Sequence, residues 1–240
     1  MAAQHSPSAL LTAIINSLQD KIIPKTKTLV ATGGSPFGAS ILSQSTLKTV
    51  TATVNAYRDS PLLHGETNCI REFFELPPEH RPDASACIFF STHEPCSLCL
   101  SGIAWTGFPI LIFLFPYEYT RDAGAIPEDI EILKEVFRVR SPGDTEEMLA
   151  ARPLYNRKNK FFEARSVAEL LEEVEDEEEK GRLGGRYRRL GRCMMGSREI
   201  GRRRMRRALG GTGTGVKVCS GPPRSSGVVR EVFRSTLQKG

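Results

Sequence analysis

Apolar residues recur with helical spacing near the start of the chain, about every 3.6 residues, and a serine followed by a proline precedes them as a helix start. We predict an amphipathic helix over residues 8–21, ended by Pro24, because proline disrupts a helix interior. The apolar residues that carry this period are Leu10, Leu11, Ile14, Ile15 and Leu18.

Short apolar or β-branched runs predict strands further along the chain. Residues 35–42 and 47–54 flank a short polar link, which is typical of a hairpin. Two later runs, at 84–92 and 109–115, are mostly apolar and predict buried strands. Helical patterns separate or follow these runs, and they cover 64–76, 96–106, 128–139 and 166–180.

The order of the first eight elements is therefore α-β-β-α-β-α-β-α. Strands that alternate with helices predict an α/β fold, a sheet with helices on its faces. The sheet should be mixed, because the first two strands form a hairpin and the later ones need helical crossovers.

The pattern stops near residue 180. Glycine supplies 13 of the last 60 residues and no apolar period continues, so we predict a domain over 1–180 and a disordered tail over 181–240. The tail holds 16 Lys and Arg against two Asp and Glu, a net charge of +14, and the first 180 residues hold 17 against 26, a net of −9. The Arg-rich run 202–207 is typical of an RNA-binding or nuclear-import segment, and an erroneous gene model would give the same abrupt change.

Composition excludes two classes of protein. The longest apolar run, 110–115, is far shorter than the roughly 20 residues of a membrane-spanning helix, so no membrane partner is expected. Six cysteines in 240 residues are too few for a disulfide scaffold, and the first residues lack a secretory leader pattern. We expect a reducing, cytoplasmic location, with the nucleus as the alternative.

Two cysteines, Cys96 and Cys99, have a spacing that fits a metal clamp, a redox couple or a chance pair. Residues three apart on a helix share a face, so both sulfurs can reach one ion. An upstream His64 favours metal. Glu66 is two positions from His64 and poorly placed as a ligand, but it can meet a water beside the ion.

Two thiolates and one imidazole leave one tetrahedral position of Zn²⁺ open, which is typical of a catalytic site. The segments around these residues, HGE and PCSLC, resemble the H-x-E and P-C-x-x-C signature of the cytidine deaminase-like superfamily of zinc-dependent deaminases. The resemblance covers roughly residues 6–139. It implies a three-layer αβα fold with a sheet of five strands or a similar number.

The resemblance also implies roles. His64, Cys96 and Cys99 would bind zinc, and Glu66 would be the general acid and base. A zinc-bound hydroxide would attack the amine-bearing carbon of a heteroaromatic ring, with release of ammonia. Asn55 resembles the asparagine that hydrogen-bonds the base in related deaminases, and the segment around Phe37 resembles their pocket lining; Pro95 would also border the substrate.

Other residues have plainer interpretations. His93 and Glu94 could be extra ligands, but a position at the end of the strand and the pocket rim is preferred. Cys69 and Cys87 fall on apolar faces, which predicts core thiols. Trp105 could stack on a base or belong to the core.

We expect a hydrolytic deaminase of a free nucleobase or nucleoside, such as cytosine, guanine or cytidine, and a homo-oligomer as in related enzymes. The acidic domain disfavours a large polyanion unless the basic tail attracts nucleic acid. The alternatives are a tRNA adenosine deaminase and a catalytically silent, zinc-stabilised partner subunit.

Overall fold

A computed structural model of the protein describes residues 5–124 and 126–208, with side chains described up to residue 194. Helix α1 (Pro7–Ser17) begins after Ser6, whose side chain accepts a hydrogen bond from the Ala9 N–H at 3.2 Å. The helix does not end before Pro24: a π-helical turn (Leu18–Ile22) leads directly into α2 (Ile23–Ala31). Pro24 lies in the first turn of α2, where its missing N–H removes no bond of that helix.

The sheet has five strands in the order β2-β1-β3-β4-β5. Strand β1 is antiparallel to both β2 and β3, whereas β3, β4 and β5 are parallel. The predicted α/β class, hairpin and mixed sheet are confirmed. The strands are β1 (Gly38–Ser43), β2 (Thr49–Val54), β3 (Cys87–His93), β4 (Ile110–Phe115) and β5 (Glu163–Ser166).

The remaining helices connect or follow these strands. The helices predicted at 64–76 and 96–106 are confirmed, and both begin at the corner where the candidate metal ligands lie. Short 3₁₀ turns occupy Pro78–His80 and Ala84–Ala86, and a π-helical turn, Leu133–Phe137, follows α6. The helices are α3 (Gly65–Glu75), α4 (Ser97–Thr106), α5 (Tyr117–Asp122), α6 (Glu128–Ile132), α7 (Glu146–Ala151), α8 (Val167–Glu172) and α9 (Glu177–Ala208).

Two apolar cores lie on opposite faces of the sheet. Successive strand residues point to opposite faces, so Phe89 joins one core and Phe90 the other. One core packs β3 and β4 against α1, α2, α8 and α9, and the other packs them against α3 and α4. The molecule therefore has the expected three layers, αβα, and the candidate site belongs to the α3–α4 layer.

The C-terminal helix α9 differs from the sequence prediction. The predicted boundary near residue 180 lies inside α9, and Leu183 and Met194 are fully buried in the core with α1. The apolar residues of α9 are sparse among glycines and arginines and give no sustained period, yet together they dock the helix on an existing core. Residues 209–240 of the predicted tail lie outside the described residues.

Three large apolar side chains on the predicted helices are exposed. Phe74, next to the fully buried Phe73 on α3, is 43% exposed. Val136 and Phe137 are also exposed, and both lie in the π-helical turn that ends the expected helix over 128–139. In the described part of the chain, no helix is both long and apolar enough to cross a membrane.

Candidate metal centre and active site

The three predicted metal ligands meet at one corner of the α3–α4 layer. His64 and Cys96 are the residues just before α3 and α4, and both have extended backbones that aim their side chains across the helix starts. Cys99 lies in the first turn of α4 and is fully buried. The Cys96 sulfur lies 3.5 Å from His64 Nδ1 and 3.6 Å from the Cys99 sulfur, which lies 3.7 Å from the same nitrogen.

These separations fit a tetrahedral zinc ion. With usual bond lengths, ligands of one Zn²⁺ are about 3.6 Å apart for nitrogen and sulfur and about 3.8 Å apart for two sulfurs. The three donor atoms all lie within 4.8 Å of one another. His64, Cys96 and Cys99 can therefore bind one ion and leave a fourth position for water or substrate.

Glu66 lies beside this group. Its side chain is buried, and one carboxylate oxygen, Oε2, is 3.4 Å from the Cys99 sulfur. The other oxygen accepts a hydrogen bond from Ser91 Oγ at 2.8 Å. Burial raises the pKa of Glu66, and the negative charge of Cys96 raises it further. The carboxyl group is held in place near the ion position, and its raised pKa favours uptake of a proton.

Backbone contacts fix the start of α3. Thr53 Oγ1 donates to the Gly65 carbonyl at 3.1 Å, and Asn68 Nδ2 donates to the Val54 carbonyl at 2.9 Å. A Cβ on Gly65 would lie 2.9 Å from Gly38 Cα and from Gly38 N. Glycine at position 65 thus lets α3 approach the first strand, which sets the position of His64 and Glu66 on either side.

The protonation of the ligands follows from their mutual contacts. The pKa of the Cys96 thiol is lowered to about 4, first by its hydrogen bond with Cys99 and also by His64. The pKa of His64 is raised to about 9, mainly by its hydrogen bond with Cys96. The pKa of Cys99 is raised by its hydrogen bond with Cys96 and by burial. A cation bound here would displace the protons on His64 and Cys99.

Backbone contacts link the predicted substrate residues to the segments that carry the ligand group. The Phe37 carbonyl accepts from the Asn55 N–H at 2.8 Å, and Phe37 adjoins Gly65 through its backbone. The Phe37 ring is half-buried. It packs edge-on against the His93 imidazole, with 4.5 Å between the two ring centroids. Asn55 Oδ1 accepts from the Tyr57 N–H at 3.0 Å. Pro95 is buried and precedes Cys96 directly.

Two residues near the site were missed by the sequence analysis. Ser91 holds Glu66, and the polar pair Ser91 and Thr92 inside an otherwise apolar strand was the signal that could have found it. Asp129 lies on α6, and its pKa is raised to about 7, mostly by burial and then by the charges of Cys96 and Glu66. No sequence signal marked Asp129, because it comes from a helix remote in the chain.

The plainer interpretations have mixed outcomes. His93 and Glu94 lie outside the ligand group: His93 lies between the rings of Phe37 and Phe115, and Glu94 is hydrogen-bonded elsewhere. Cys69 and Cys87 are core residues, as predicted. Trp105 is 93% exposed, so of its two interpretations the core position is wrong.

Comparison with known proteins agrees with this geometry. The family model described as "Cytidine and deoxycytidylate deaminase zinc-binding region" matches residues 16–115. Guanine deaminase of Bacillus subtilis (strain 168) is 30% identical over 103 residues, which cover 43% of this chain and 64% of that protein.

Several solved structures are similar at lower identity. A structure from a study of A-to-I editing by tRNA:A34 deaminases has 13% identity and a TM-score of 0.40, and it covers 70% of this chain and 99% of its own. Guanine deaminase from Bacillus subtilis has 21% identity and a TM-score of 0.40 over 59% of this chain and 98% of its own. Guanine deaminase from Nitrosomonas europaea has 15% identity and a TM-score of 0.41 over 80% of this chain and 87% of its own.

Proposed function

We propose that the chain is a zinc-dependent hydrolytic deaminase of a free nucleobase or nucleoside, since residues 16–115 match the family model of a cytidine and deoxycytidylate deaminase zinc-binding region. The observation that carries the proposal is the pairing of two features at one corner. His64, Cys96 and Cys99 have the separations of zinc ligands, and Glu66 is a buried carboxylate that the ligand set does not need. A purely structural zinc site has four protein ligands and no use for such a carboxylate.

Each residue has a distinct role in this reaction. Zinc, when bound by His64, Cys96 and Cys99, would supply a Lewis acid that lowers the pKa of water at its open position. Glu66 would take one proton from the attacking water through Oε2 and pass it to the ring nitrogen, and it would then carry the second proton, from the resulting hydroxyl group, to the departing amine. Ser91 would hold Oε1, so that the carboxylate keeps one orientation through both transfers. Water and the amine are thereby converted to a ring carbonyl and ammonia.

The substrate would lie between Phe37, Asn55 and Asp129. Asn55 and Phe37 are linked by a backbone hydrogen bond next to Gly65. A carboxylate at Asp129 accepts hydrogen bonds from ring N–H and amino groups, which guanine presents beside its reacting carbon. The 30% identity to a guanine deaminase makes guanine the first substrate to test, followed by cytosine and cytidine.

A second candidate function is deamination of adenosine in RNA. The stretch 181–208 holds eleven arginines and one glutamate, and α9 carries it on the domain. Arg188, Arg189 and Arg192 are exposed, so a polyanion could bind there despite the acidic remainder of the domain. A tRNA anticodon stem therefore belongs in the substrate panel.

The substitution Glu66→Gln tests the activity. Ammonia release from guanine, cytosine, cytidine and the anticodon stem is measured with bound zinc quantified in each sample. We expect the original protein to deaminate a member of this panel and Glu66→Gln to lower that rate at least about 1,000-fold while zinc is retained. Glu75→Gln, an exposed carboxylate on the same helix, is the matched control.

If the original protein carries one zinc ion and releases no ammonia from any of the four, the alternative of a silent zinc-stabilised subunit is supported instead.

The predicted homo-oligomer also stays a proposal. Leu98 and Trp105 lie seven residues apart on α4, which places them on one face, and both are exposed. A second copy that covers this face would bury a large apolar side chain that the monomer leaves in water. Light scattering of the original protein and of Trp105→Glu would show whether a dimer or larger assembly dissociates.

A further inference from the structure

Glu94 is a buried carboxylate that the proposed reaction does not use. It follows β3 directly, two residues before Cys96, and its side chain is 1% exposed. It accepts three hydrogen bonds: from the Tyr117 N–H at 3.1 Å, the Tyr155 O–H at 2.8 Å and Arg157 Nη2 at 2.9 Å. A buried charge is tolerated only when it is paired and hydrogen-bonded, and these three hydrogen bonds, one of them from an arginine, meet that condition for Glu94.

Tyr117 holds the segment before Cys96 at two points. Its N–H donates to the Glu94 carboxylate, and its O–H donates to the Pro95 carbonyl. The Glu94 N–H in turn donates to the Phe115 carbonyl at 2.7 Å. Tyr117 is 2% exposed, so neither of its bonds competes with bulk water. Residues 94 and 95 are thus fixed through both backbone and side chain.

The other partners of Glu94 come from a distant part of the chain. Tyr155 and Arg157 lie in the segment 152–157, which lines an open pocket of 670 Å³ together with Glu94 and Tyr117. Arg157 also forms an ion pair with Glu169 on α8, with 3.3 Å between Nη1 and Oε1. Its guanidinium carbon lies over the Phe113 ring, 4.9 Å from the ring centroid. The segment is therefore anchored to the domain independently of Glu94, and it can act as a fixed support.

Cys96 needs such a support more than the other ligands do. Cys99 is held inside a buried helical turn, and the start of α3 is fixed by Thr53 and Asn68. Cys96 lies at the junction of loop and helix, so the conformation of residues 94 and 95 sets where its sulfur lies. The distance from zinc to a ligand sulfur must lie within about 0.2 Å of its usual value.

We propose that Glu94 is a positioning residue for zinc: its hydrogen bonds with Tyr117, Tyr155 and Arg157 fix residues 94 and 95 and thereby hold the Cys96 sulfur where the ion requires it. The proposal rests on the zinc site of the proposed function. It assigns Glu94 neither to the ligands nor to the reacting groups.

The experiment compares zinc release from four variants of the full chain. Glu94→Gln and Tyr117→Phe weaken the support. As controls, Glu173→Gln changes an exposed carboxylate that pairs with Arg165, and Tyr187→Phe changes a partly buried tyrosine on α9. Zinc content, the rate of zinc transfer to a chromogenic chelator and the melting temperature are measured for each.

We expect Glu94→Gln to release zinc about 10-fold faster or more, as for other residues that orient ligands, and Tyr117→Phe several-fold faster. The two controls should stay within about twofold of the original rate. The proposal is overturned if Glu94→Gln and Tyr117→Phe lower the melting temperature but release zinc at the original rate. An original protein that binds zinc but deaminates nothing removes the proposed activity alone, because zinc release is still measured.

Discussion

Two pairs of buried cysteines lie in the α3–α4 layer, and their surroundings are opposite. Cys96 and Cys99 face His64 and Glu66, whereas Cys69 and Cys87 pack among aromatic and aliphatic side chains. The pKa of Cys96 is lowered to about 4 by hydrogen bonds, but burial raises that of Cys87 to about 11 and also raises that of Cys69. Burial alone makes a thiol inert, and convergent polar partners make it a candidate metal ligand.

Removing one thiol from each pair should give the largest contrast. We expect Cys96→Ala to reduce bound zinc below about a tenth of an ion per chain and to abolish deamination, since two remaining ligands hold zinc weakly. Cys87→Ala should retain zinc and cost about 1 kcal/mol of the free energy of unfolding, because it removes a single buried heavy atom. Elemental analysis and urea titration check both. An equal loss of zinc from the two variants would contradict the distinction.

The same contrast should appear in the pH dependence of thiol alkylation. A thiol with a lowered pKa is a thiolate at every pH above that value, so in chelator-treated protein at pH 6 Cys96 is ionised and Cys87, with a pKa of about 11, is not. We expect Cys96 to react with iodoacetamide at least about 100-fold faster, because the thiolate is the nucleophile. Peptide mapping after timed quenching gives the rates. Added zinc should protect Cys96 and leave Cys87 unchanged.

A third change extends the comparison to the opposite face of the sheet. Leu183 on α9 is fully buried in the other core, so Leu183→Ala should cost about 2–5 kcal/mol of the free energy of unfolding. Deletion of residues 181–240 should destabilise at least as much, since it removes Leu183 and Met194 together. Leu190→Ala, at a partly buried position, is the control and should cost less. If the deletion left stability unchanged, α9 would not belong to the domain.

The smallest effect is expected at two glycines near the metal corner. Gly65→Ala should cost about 1–3 kcal/mol and weaken zinc binding, because the new Cβ would press on the Gly38 backbone. Gly102→Ala on α4 meets only a flexible Ile70 methyl at 3.4 Å, and alanine favours a helix by up to about 1 kcal/mol, so its effect should be neutral or stabilising. Thermal unfolding with and without a chelator separates the two. Equal behaviour would mean that the approach of α3 to β1 does not constrain position 65.

Much of the fold was predictable because long apolar periods dominate it. The hairpin, β3, α3, α4 and β4 came directly from the sequence pattern. The short elements α5, α7 and β5 were missed, since four to six residues carry no measurable period. The continuation through Pro24 was missed for a different reason: a proline that disrupts a helix interior is harmless in the first turn of the next helix.

The sequence by itself determined the chemistry of the metal corner, because a histidine, a carboxylate and two spaced cysteines constrain ligand type and number whatever surrounds them. Tertiary structure alone decided which distant groups serve that corner. Ser91, Asp129, Tyr155 and Arg157 reach it or its supporting loop from other strands, helices and loops, and α9 completes the opposite core. Their contribution depends on contacts between residues far apart in the chain, which local patterns of polarity and charge do not encode.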